Sequence, residues 1–201
     1  MQFYVLKKRG ETASSTVTEF SEHESVQGDA PRCAVCGKFI GPLAWLPPFR
    51  AELELLGVAF GEIAFGVAND LLVSARFKRL YSRAGLKGFK GFEPVEIVRT
   101  KCRKRLAKPV PEYFHVIVTY GRAAIDDKAS SLIREKPLPC PECRTGGIIK
   151  RARRIILENS SWSGEDIFIA RGLPGTIIAS QRFNDFCKEN QISNATLINA
   201  S

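Results

Sequence analysis

The sequence predicts an α+β protein built from two degenerate strand-strand-helix repeats that pack together. Three observations predict this fold class. The pattern Cys-x-x-Cys occurs twice, at Cys33–Cys36 and at Cys140–Cys143. Residues 71–77 are matched by residues 177–183 in the same order, at a constant shift of 106. Between these landmarks, apolar residues recur with the periods of strands and of helices.

Length and composition are those of one folded domain. The chain has 201 residues, and 44% of them are hydrophobic, which is enough to bury a sizeable core. We expect a single domain, 1–201, in which repeat 1 covers about 30–100 and repeat 2 covers about 137–201. A connector that contains strands would join the two repeats.

Alternating apolar and polar residues mark several strands in the first half and in the connector. In chain order these segments are residues 1–7, 51–55, 92–98 and 114–120. The segment Glu11–Asp29 is instead polar and rich in Ser, Thr and Glu. The sequence predicts a loop-like or weakly ordered segment there.

A short helix is predicted directly after the apolar run 71–73. Ser74 is a good N-cap residue, and Gly85 supplies a left-handed stop at the other end. Between them, apolar residues fall on one helix face, at Phe77, Leu80, Tyr81 and Ala84. This segment therefore ends a strand and begins a helix.

The second half preserves the same helix face. At the shift of 106, Phe186 falls on Leu80 and Cys187 falls on Tyr81. Cys187 is thus expected to be a small core residue rather than a reactive thiol.

Two equivalent arginines, Arg76 and Arg182, lie just inside the predicted helices. A positive charge there opposes the helix dipole, so each arginine is expected to have a fixed acidic partner. Glu62 and Glu165, which occupy matching Gly-Glu dipeptides, are the candidate partners.

The two Cys pairs have the spacing of a metal site. Each Cys-x-x-Cys turn directs both sulfurs to one side, and two such turns supply the four thiolates of a tetrahedral zinc site. The predicted ligands of a structural Zn²⁺ are the four cysteines of this zinc-ribbon-like pair of Cys knuckles, Cys33, Cys36, Cys140 and Cys143. Because 103 residues separate Cys36 from Cys140, the site would tie together the two repeats.

Other interpretations of the four cysteines remain open at this point. They could be free thiols, or the remnant of a site that has lost its metal. A redox site is less favoured, because a thioredoxin-type pair begins a helix in a βαβ unit and neither pair has that setting.

The net charge of +9 and the pI near 9.4 raise the alternative of a basic, zinc-ribbon-like protein that binds nucleic acid. Basic residues form two clusters, Arg99–Arg105 with Lys108, and Lys150–Arg154. Neither cluster interleaves aromatic residues as single-strand binders do, so solvated loops or an acidic protein partner are favoured over nucleic acid.

Targeting signals and catalytic sets are not evident. The N-terminal apolar run meets Lys7 too soon for a signal peptide, and no stretch approaches membrane-spanning length, so we expect a cytoplasmic protein without membrane contact. His23 and His115 have no nucleophile at a characteristic spacing. We therefore expect no catalytic residues and no enzymatic activity.

The order of motifs resembles the double-CxxCG motif family over about residues 33–186. The motifs that carry the resemblance are Cys-x-x-Cys-Gly at 33–37, Trp-Leu-Pro-Pro-Phe-Arg at 45–50, Asp-Leu-Leu-Val-Ser-x-Arg-Phe at 70–77, Gly-Phe-Glu-Pro-Val-Glu at 91–96, Cys-Pro-x-Cys-Arg at 140–144 and Trp-x-Gly-Glu-Asp-Ile-Phe at 162–168. Some members of that family are named as immunity proteins of swarm-inhibition toxin systems. One departure is Arg144, which stands where the family name has a Gly, although Gly146 and Gly147 follow.

This resemblance implies an immunity protein that binds and neutralises a cognate, contact-delivered bacterial toxin encoded nearby. It also implies that the four cysteines form a structural zinc site. The second basic cluster suggests an acidic face on the partner, since complementary charge accelerates and orients association. Its candidate partner-binding residues are Lys150, Arg151, Arg153 and Arg154.

Overall fold

The computed structural model describes residues 2–8, 17–57, 59–102, 106, 109–136, 140–146, 148–158 and 160–200. The described part is α+β, with fifteen strands and two α-helices. In chain order the strands are β1 Phe3–Lys8, β2 Val17–Glu22, β3 Val26–Gln27, β4 Trp45–Leu46, β5 Arg50–Leu56, β6 Ile63–Phe65, β7 Leu71–Ser74, β8 Phe89–Cys102, β9 Tyr113–Val118, β10 Tyr120–Ala124, β11 Ile133–Arg134, β12 Ile149–Arg151, β13 Ile167–Arg171, β14 Ile177–Ser180 and β15 Ala195–Asn199. The helices are α1 Ala75–Arg83 and α2 Gln181–Glu189.

Two sheets hold most of the strands. Six strands close a barrel in the order β2-β5-β8-β9-β7-β6, and five form a sheet in the order β10-β13-β14-β1-β15. Two short hairpins, β3–β4 and β11–β12, form separate two-stranded sheets. Among the described residues, no helix has the length and apolar character that crossing a membrane requires.

The barrel and the sheet share one strand arrangement. Five adjacent strands of the barrel follow in the order β2, β6, β7, β9 and β8, and the five strands of the sheet follow in the order β10, β13, β14, β1 and β15. In both series the first pair is parallel and the following three pairs are antiparallel. The barrel differs by one further strand, β5, which pairs with both β2 and β8 and closes it.

The prediction of a loop over Glu11–Asp29 is wrong for most of its described part. Residues 17–22 form β2, in which Val17, Thr18 and Phe20 are buried. Six consecutive pairs with β5 hold the strand in place, so a tertiary partner outweighs the polar composition. Residues 11–16 lie outside the described residues.

The predicted helix boundaries are confirmed. Ser74 caps α1 by accepting a hydrogen bond from the Phe77 amide at 3.0 Å, and Ser180 caps α2 in the same way at 3.2 Å. Gly85 follows α1 with a φ of +60°, the left-handed conformation that favours glycine.

The two helices share one core between the barrel and the sheet. Phe77 and Phe183, which differ in number by the shift of 106, contact each other with ring centroids 6.4 Å apart. Phe186 and Cys187 are buried in the same core, which confirms the prediction that Cys187 is a core residue. Apolar side chains from α1, α2 and both sheets thus form one continuous cluster.

Each helix is fastened to the other by a carboxylate–arginine clasp. In the first clasp, Glu62 accepts from Arg76 at 3.0 Å and from the hydroxyl of Ser74. Arg76 then donates to the carbonyl of Asn190, the C-cap of α2, at 2.9 Å.

The second clasp is the reciprocal of the first. Asp166 accepts from Arg182 at 3.1 Å and from Ser180 at 3.0 Å, and Arg182 donates to the carbonyl of Ala84, the C-cap of α1. The predicted partner of Arg76 is therefore confirmed, but Glu165 is wrong as the partner of Arg182. Asp166 takes that position because it, like Glu62, immediately precedes the strand that pairs with the capping strand.

Candidate metal centre

The first Cys knuckle lies in the loop of the β3–β4 hairpin. The Cys33 amide donates to the carbonyl of Lys38 at 2.8 Å, and the Gly37 amide donates to the carbonyl of Cys33 at 2.9 Å. Gly37 has a φ of +71°, so a glycine relieves strain where the chain turns back. These bonds fold residues 33–38 into one tight turn with both thiols on it.

The second knuckle lies between the strands of the β11–β12 hairpin and repeats this geometry. The amide of Arg144 donates to the carbonyl of Cys140 at 3.0 Å, and Arg144 has a φ of +53°. Its side chain binds the carbonyl of Ile125 at 3.0 Å and the carboxylate of Glu158 at 2.6 Å. These bonds hold a non-glycine residue in the conformation that Gly37 adopts in the first knuckle.

The four thiols converge. The sulfurs of Cys33, Cys36, Cys140 and Cys143 all lie within 4.8 Å of one another, with Cys33 and Cys140 4.0 Å apart and Cys36 and Cys143 3.6 Å apart. In a tetrahedral site with metal–sulfur bonds of about 2.3 Å, neighbouring sulfurs lie about 3.8 Å apart. All four cysteines are free of disulfide bonds. The quartet therefore fits a metal ion without rearrangement of the backbone.

Burial and hydrogen bonding tune the thiols. Cys33, Cys140 and Cys143 are buried, whereas Cys36 is exposed. The backbone amides of Cys36 and Val35 lower the pKa of Cys33 to about 7. The Lys38 amide also favours the Cys36 thiolate, but desolvation and the other three thiols together raise the pKa of Cys36 to about 11. Four neighbouring thiolates repel one another, and a bound cation would remove that cost.

The second knuckle is anchored to the five-stranded sheet. The hydroxyl of Tyr120 donates to the carbonyl of Cys143 at 2.8 Å, and the amide of Gly172 donates to the same oxygen at 3.2 Å. The amide of Thr145 donates to the sulfur of Cys143 at 3.4 Å. The roles of Tyr120 and Gly172 could not be predicted from the sequence, because neither residue belongs to a Cys motif.

The polar contacts between the described parts of the two knuckles are made by their sulfurs. Across the ranges that the structure describes, no hydrogen bond or ion pair other than the thiol contacts joins residues 31–41 to residues 140–146. The remaining cysteines, Cys102 and Cys187, lie outside the quartet. A metal ion would therefore be the main link between these segments.

The second basic cluster lies on and after β12, the strand that follows the second knuckle. Lys150, Arg151, Arg153 and Arg154 are all exposed, and none forms an ion pair with another described residue. Arg154 donates to the carbonyl of Ala129 at 2.8 Å. The cluster is thus free to contact a partner but is not part of the thiol site.

The first basic cluster is partly used by the barrel. Lys101 on β8 pairs with Glu52 on β5 at 2.9 Å, which lowers the pKa of the Glu52 carboxyl. Arg103, Lys104, Arg105 and Lys108 lie outside the described residues, as does Gly147 of the second knuckle.

The two histidines occupy different surroundings. His115 is buried against Trp45 and Phe49, and burial lowers its pKa to about 4. His23 lies 3.4 Å from the carboxylate of Glu52. Neither histidine belongs to the group of residues that could hold a metal ion.

No protein-family model matches the chain, and no curated protein matches it. Function is therefore inferred from the chemistry of the thiol site and from the order of the motifs.

Proposed function

We propose that the protein holds one structural Zn²⁺ ion between Cys33, Cys36, Cys140 and Cys143. The observation that carries this proposal is the convergence of four thiols from two knuckles with sulfur separations close to those of a tetrahedral site. Thiolate-only ligation favours zinc over calcium or magnesium, which prefer oxygen. Four protein ligands leave no position for a substrate, so the ion would stabilise the fold rather than catalyse a reaction.

Metal analysis tests this proposal. After reducing, chelator-free purification we expect about one zinc per chain. Cys36→Ser should lose the zinc and most of the stability gained from it, because ligand loss couples to folding. Cys102→Ser is the matched control, since Cys102 lies outside the quartet. A metal-free wild-type protein, or equal stability of wild type with and without a chelator, would contradict the proposal.

We also propose that the chain acts by binding, as an immunity protein that neutralises a cognate bacterial toxin. The support for this proposal is the motif order of the double-CxxCG family together with a closed metal site. The basic cluster on β12 supports it further, because its charges are exposed and unpaired among the described residues.

Apolar residues accompany this charge. Ile148 is 70% exposed and Ile133 is 52% exposed, and Ile133 pairs with Arg151 across the β11–β12 hairpin. A surface that joins exposed isoleucines to unpaired basic groups suits a protein partner with an acidic rim and an apolar centre. The hairpin is therefore the proposed toxin-binding surface.

Co-expression with the product of the neighbouring gene tests the immunity proposal. We expect rescue of growth and recovery of a stable complex. Reversing the cluster with Lys150→Glu, Arg151→Glu and Arg153→Glu should slow association at least tenfold at low salt. The control reverses three exposed basic residues elsewhere, Arg79→Glu, Lys87→Glu and Lys188→Glu, and so changes the net charge equally. Equal effects of both sets would refute a role for the hairpin.

Nucleic acid is the second candidate partner, on the same exposed basic residues. Binding to phosphates would weaken steeply as salt rises, because each contact releases counterions. Tight, sequence-selective binding to DNA or RNA at physiological salt would favour this alternative over toxin neutralisation.

We further propose that the fold arose by duplication, with an exchange of the first strands. Nine elements of the first half have counterparts in the same order in the second half. The first series is β1, β2, β3, the first knuckle, β4, β6, β7, α1 and β8, and the second is β9, β10, β11, the second knuckle, β12, β13, β14, α2 and β15. Yet β1 lies in the sheet of the second half, and β9 lies in the barrel of the first. Cleavage between β8 and β9 should leave two fragments that stay associated, whereas separation into independent folded fragments would refute the exchange.

A further inference from the structure

A cavity of about 370 Å³ lies beside the barrel. Its lining includes none of the four cysteines, but it shares Ile40 and Tyr120 with the surroundings of the thiol quartet. Its wall comprises residues from the loop 40–45, from the turn 68–70 and from strand β9. This volume is within the range of small-ligand sites, and much of the lining is apolar.

Two polar groups on this wall have no partner. Trp45 is 5% exposed, and its indole Nε1 is buried without a hydrogen bond. Asp70 is half-buried, and its carboxyl forms no hydrogen bond or ion pair with another described residue. Since buried polar groups are normally satisfied, the Asp70 carboxylate is free to meet a cationic ligand, whereas the indole N–H is a donor and does not itself favour a cation.

The backbone beside Asp70 is also unusual. Ala68 and Asn69 both have positive φ angles, 54° and 75°. Non-glycine residues rarely adopt this conformation, and such strain concentrates at binding sites. The turn thereby holds the Asp70 carboxyl at the cavity wall.

The charges around the cavity favour a cation. Asp29 and Asp70 line it, and the field of Glu22 reaches Asp70. Lys90 is the one basic side chain among the described lining residues, and it lies beyond ion-pair distance of Asp70. His115 also lines the cavity, but burial keeps it neutral, with a pKa lowered to about 4.

We propose that this cavity binds an ammonium or guanidinium group carried on an apolar stem, with Asp70 as the counter-ion and Trp45 against the stem. The same chemistry is offered by a small organic amine and by a Lys or Arg side chain of a bound protein. The argument for this ligand uses neither a bound metal ion nor the basic hairpin.

Titration with hexylamine tests the proposal, with hexanol as a probe of equal length and no charge. Trp162→Phe leaves Trp45 as the sole tryptophan, so its emission reports binding at the cavity. We expect hexylamine to bind at least tenfold more tightly than hexanol, and Asp70→Asn to abolish the difference. Lys90→Met is the matched control on the same wall, and it should leave hexylamine affinity equal or higher.

A pH series on the unmodified aspartate guards against a folding defect in Asp70→Asn. Burial, with a smaller contribution from Glu22, raises the pKa of Asp70 to about 7. The hexylamine affinity should therefore fall as pH drops from 8 to 6, while hexanol affinity stays constant. Equal affinities for the two probes, or a hexylamine affinity that is independent of both pH and Asp70, would overturn the proposal.

A capped lysine peptide, acetyl-Gly-Lys-Gly-amide, separates the two sources of the cation. Tighter binding of this peptide than of hexylamine supports a side chain of a bound protein. Weaker binding supports a small amine. Either result requires the Asp70 dependence described above.

Discussion

The clasp between Arg182 and Asp166 should contribute measurably to stability, although Arg182 is largely exposed. Asp166 is 3% exposed and accepts from the Lys87 amide at 2.9 Å, from Ser180 at 3.0 Å and from Arg182 at 3.1 Å. A hydrogen bond to a charged group contributes about 1.5–3 kcal/mol. Because the Arg182 side chain is 57% exposed, we take the lower end of that range.

These contacts set the size of the expected effects. Arg182 also donates to the last carbonyls of α1, which adds about 0.5 kcal/mol through the helix dipole. Arg182→Ala should therefore lower the free energy of unfolding by about 2 kcal/mol. Asp166→Ala should lower the free energy of unfolding by about 3–4 kcal/mol, since it also removes the acceptor of the part-buried Lys87 amide and of the buried Ser180 hydroxyl. The double variant should lose about 1.5 kcal/mol less than the sum of the two.

Urea unfolding of the metal-loaded protein, followed by fluorescence and circular dichroism, measures this cycle. The control cycle uses Arg50 and Glu96, an ion pair 3.0 Å apart whose side chains are 40% and 62% exposed. We expect a coupling energy of about 0.5 kcal/mol or less there. A coupling between Arg182 and Asp166 no larger than this control would refute the clasp as a stabilising contact.

Three further changes test the knuckles, the close approach of the two sheets and the buried histidine. Arg144→Gly should be more stable than Arg144→Ala by about 1 kcal/mol in urea unfolding, because residue 144 has a positive φ; equal stabilities would contradict the strain assigned to it. Gly88→Ala should lower the free energy of unfolding by more than about 3 kcal/mol, since the added Cβ would lie 1.7 Å from the carbonyl oxygen of Ile167. Gly175→Ala, where the added Cβ meets open space, should lower it by about 1 kcal/mol. Similar losses for the two variants would argue against the close approach. The folded-state pKa of His115 is lowered to about 4, so the unfolded chain binds the proton first as pH falls below about 6.5. The free energy of unfolding of wild type should therefore fall by about 2 kcal/mol between pH 7 and pH 5. For His115→Phe it should fall by less over that range, and parallel pH profiles of the two proteins would contradict the assignment.

Local features were the most predictable part of this fold. Ser74 and Ser180 have the chemistry of N-caps and Gly85 that of a helix stop, and these signals act within a single turn. The convergence of the Cys quartet was also predictable, because Cys-x-x-Cys spacing fixes two sulfurs on one side of each turn. The determinant of each cap, helix stop and Cys turn lies within a few residues of the feature, whereas the meeting of the two Cys turns depends on the whole fold.

Features that depend on distant partners were not predictable. β2 has a polar composition, yet pairing with β5 orders it. The choice between Glu165 and Asp166 as the partner of Arg182 depends on the register of β13 against β14, and a one-residue slip exchanges the two carboxylates. The partnerless indole of Trp45 likewise becomes apparent only once its surroundings are known.

The position of the thiol quartet explains why a metal would matter to this architecture. The helices already join the two halves at one place, through the shared core and the reciprocal arginine clasps. The hairpins β3–β4 and β11–β12 have only two strands each, so their stability depends on contacts with the rest of the protein. Because the thiol contacts are the only hydrogen bonds between the knuckles in the described chain, a bound ion would link both hairpins directly. Removal of the ion should therefore loosen β11–β12, the proposed partner surface, before the barrel unfolds. Hydrogen exchange with chelator should then be faster than without it in β11–β12, and the amides of the barrel should be affected later.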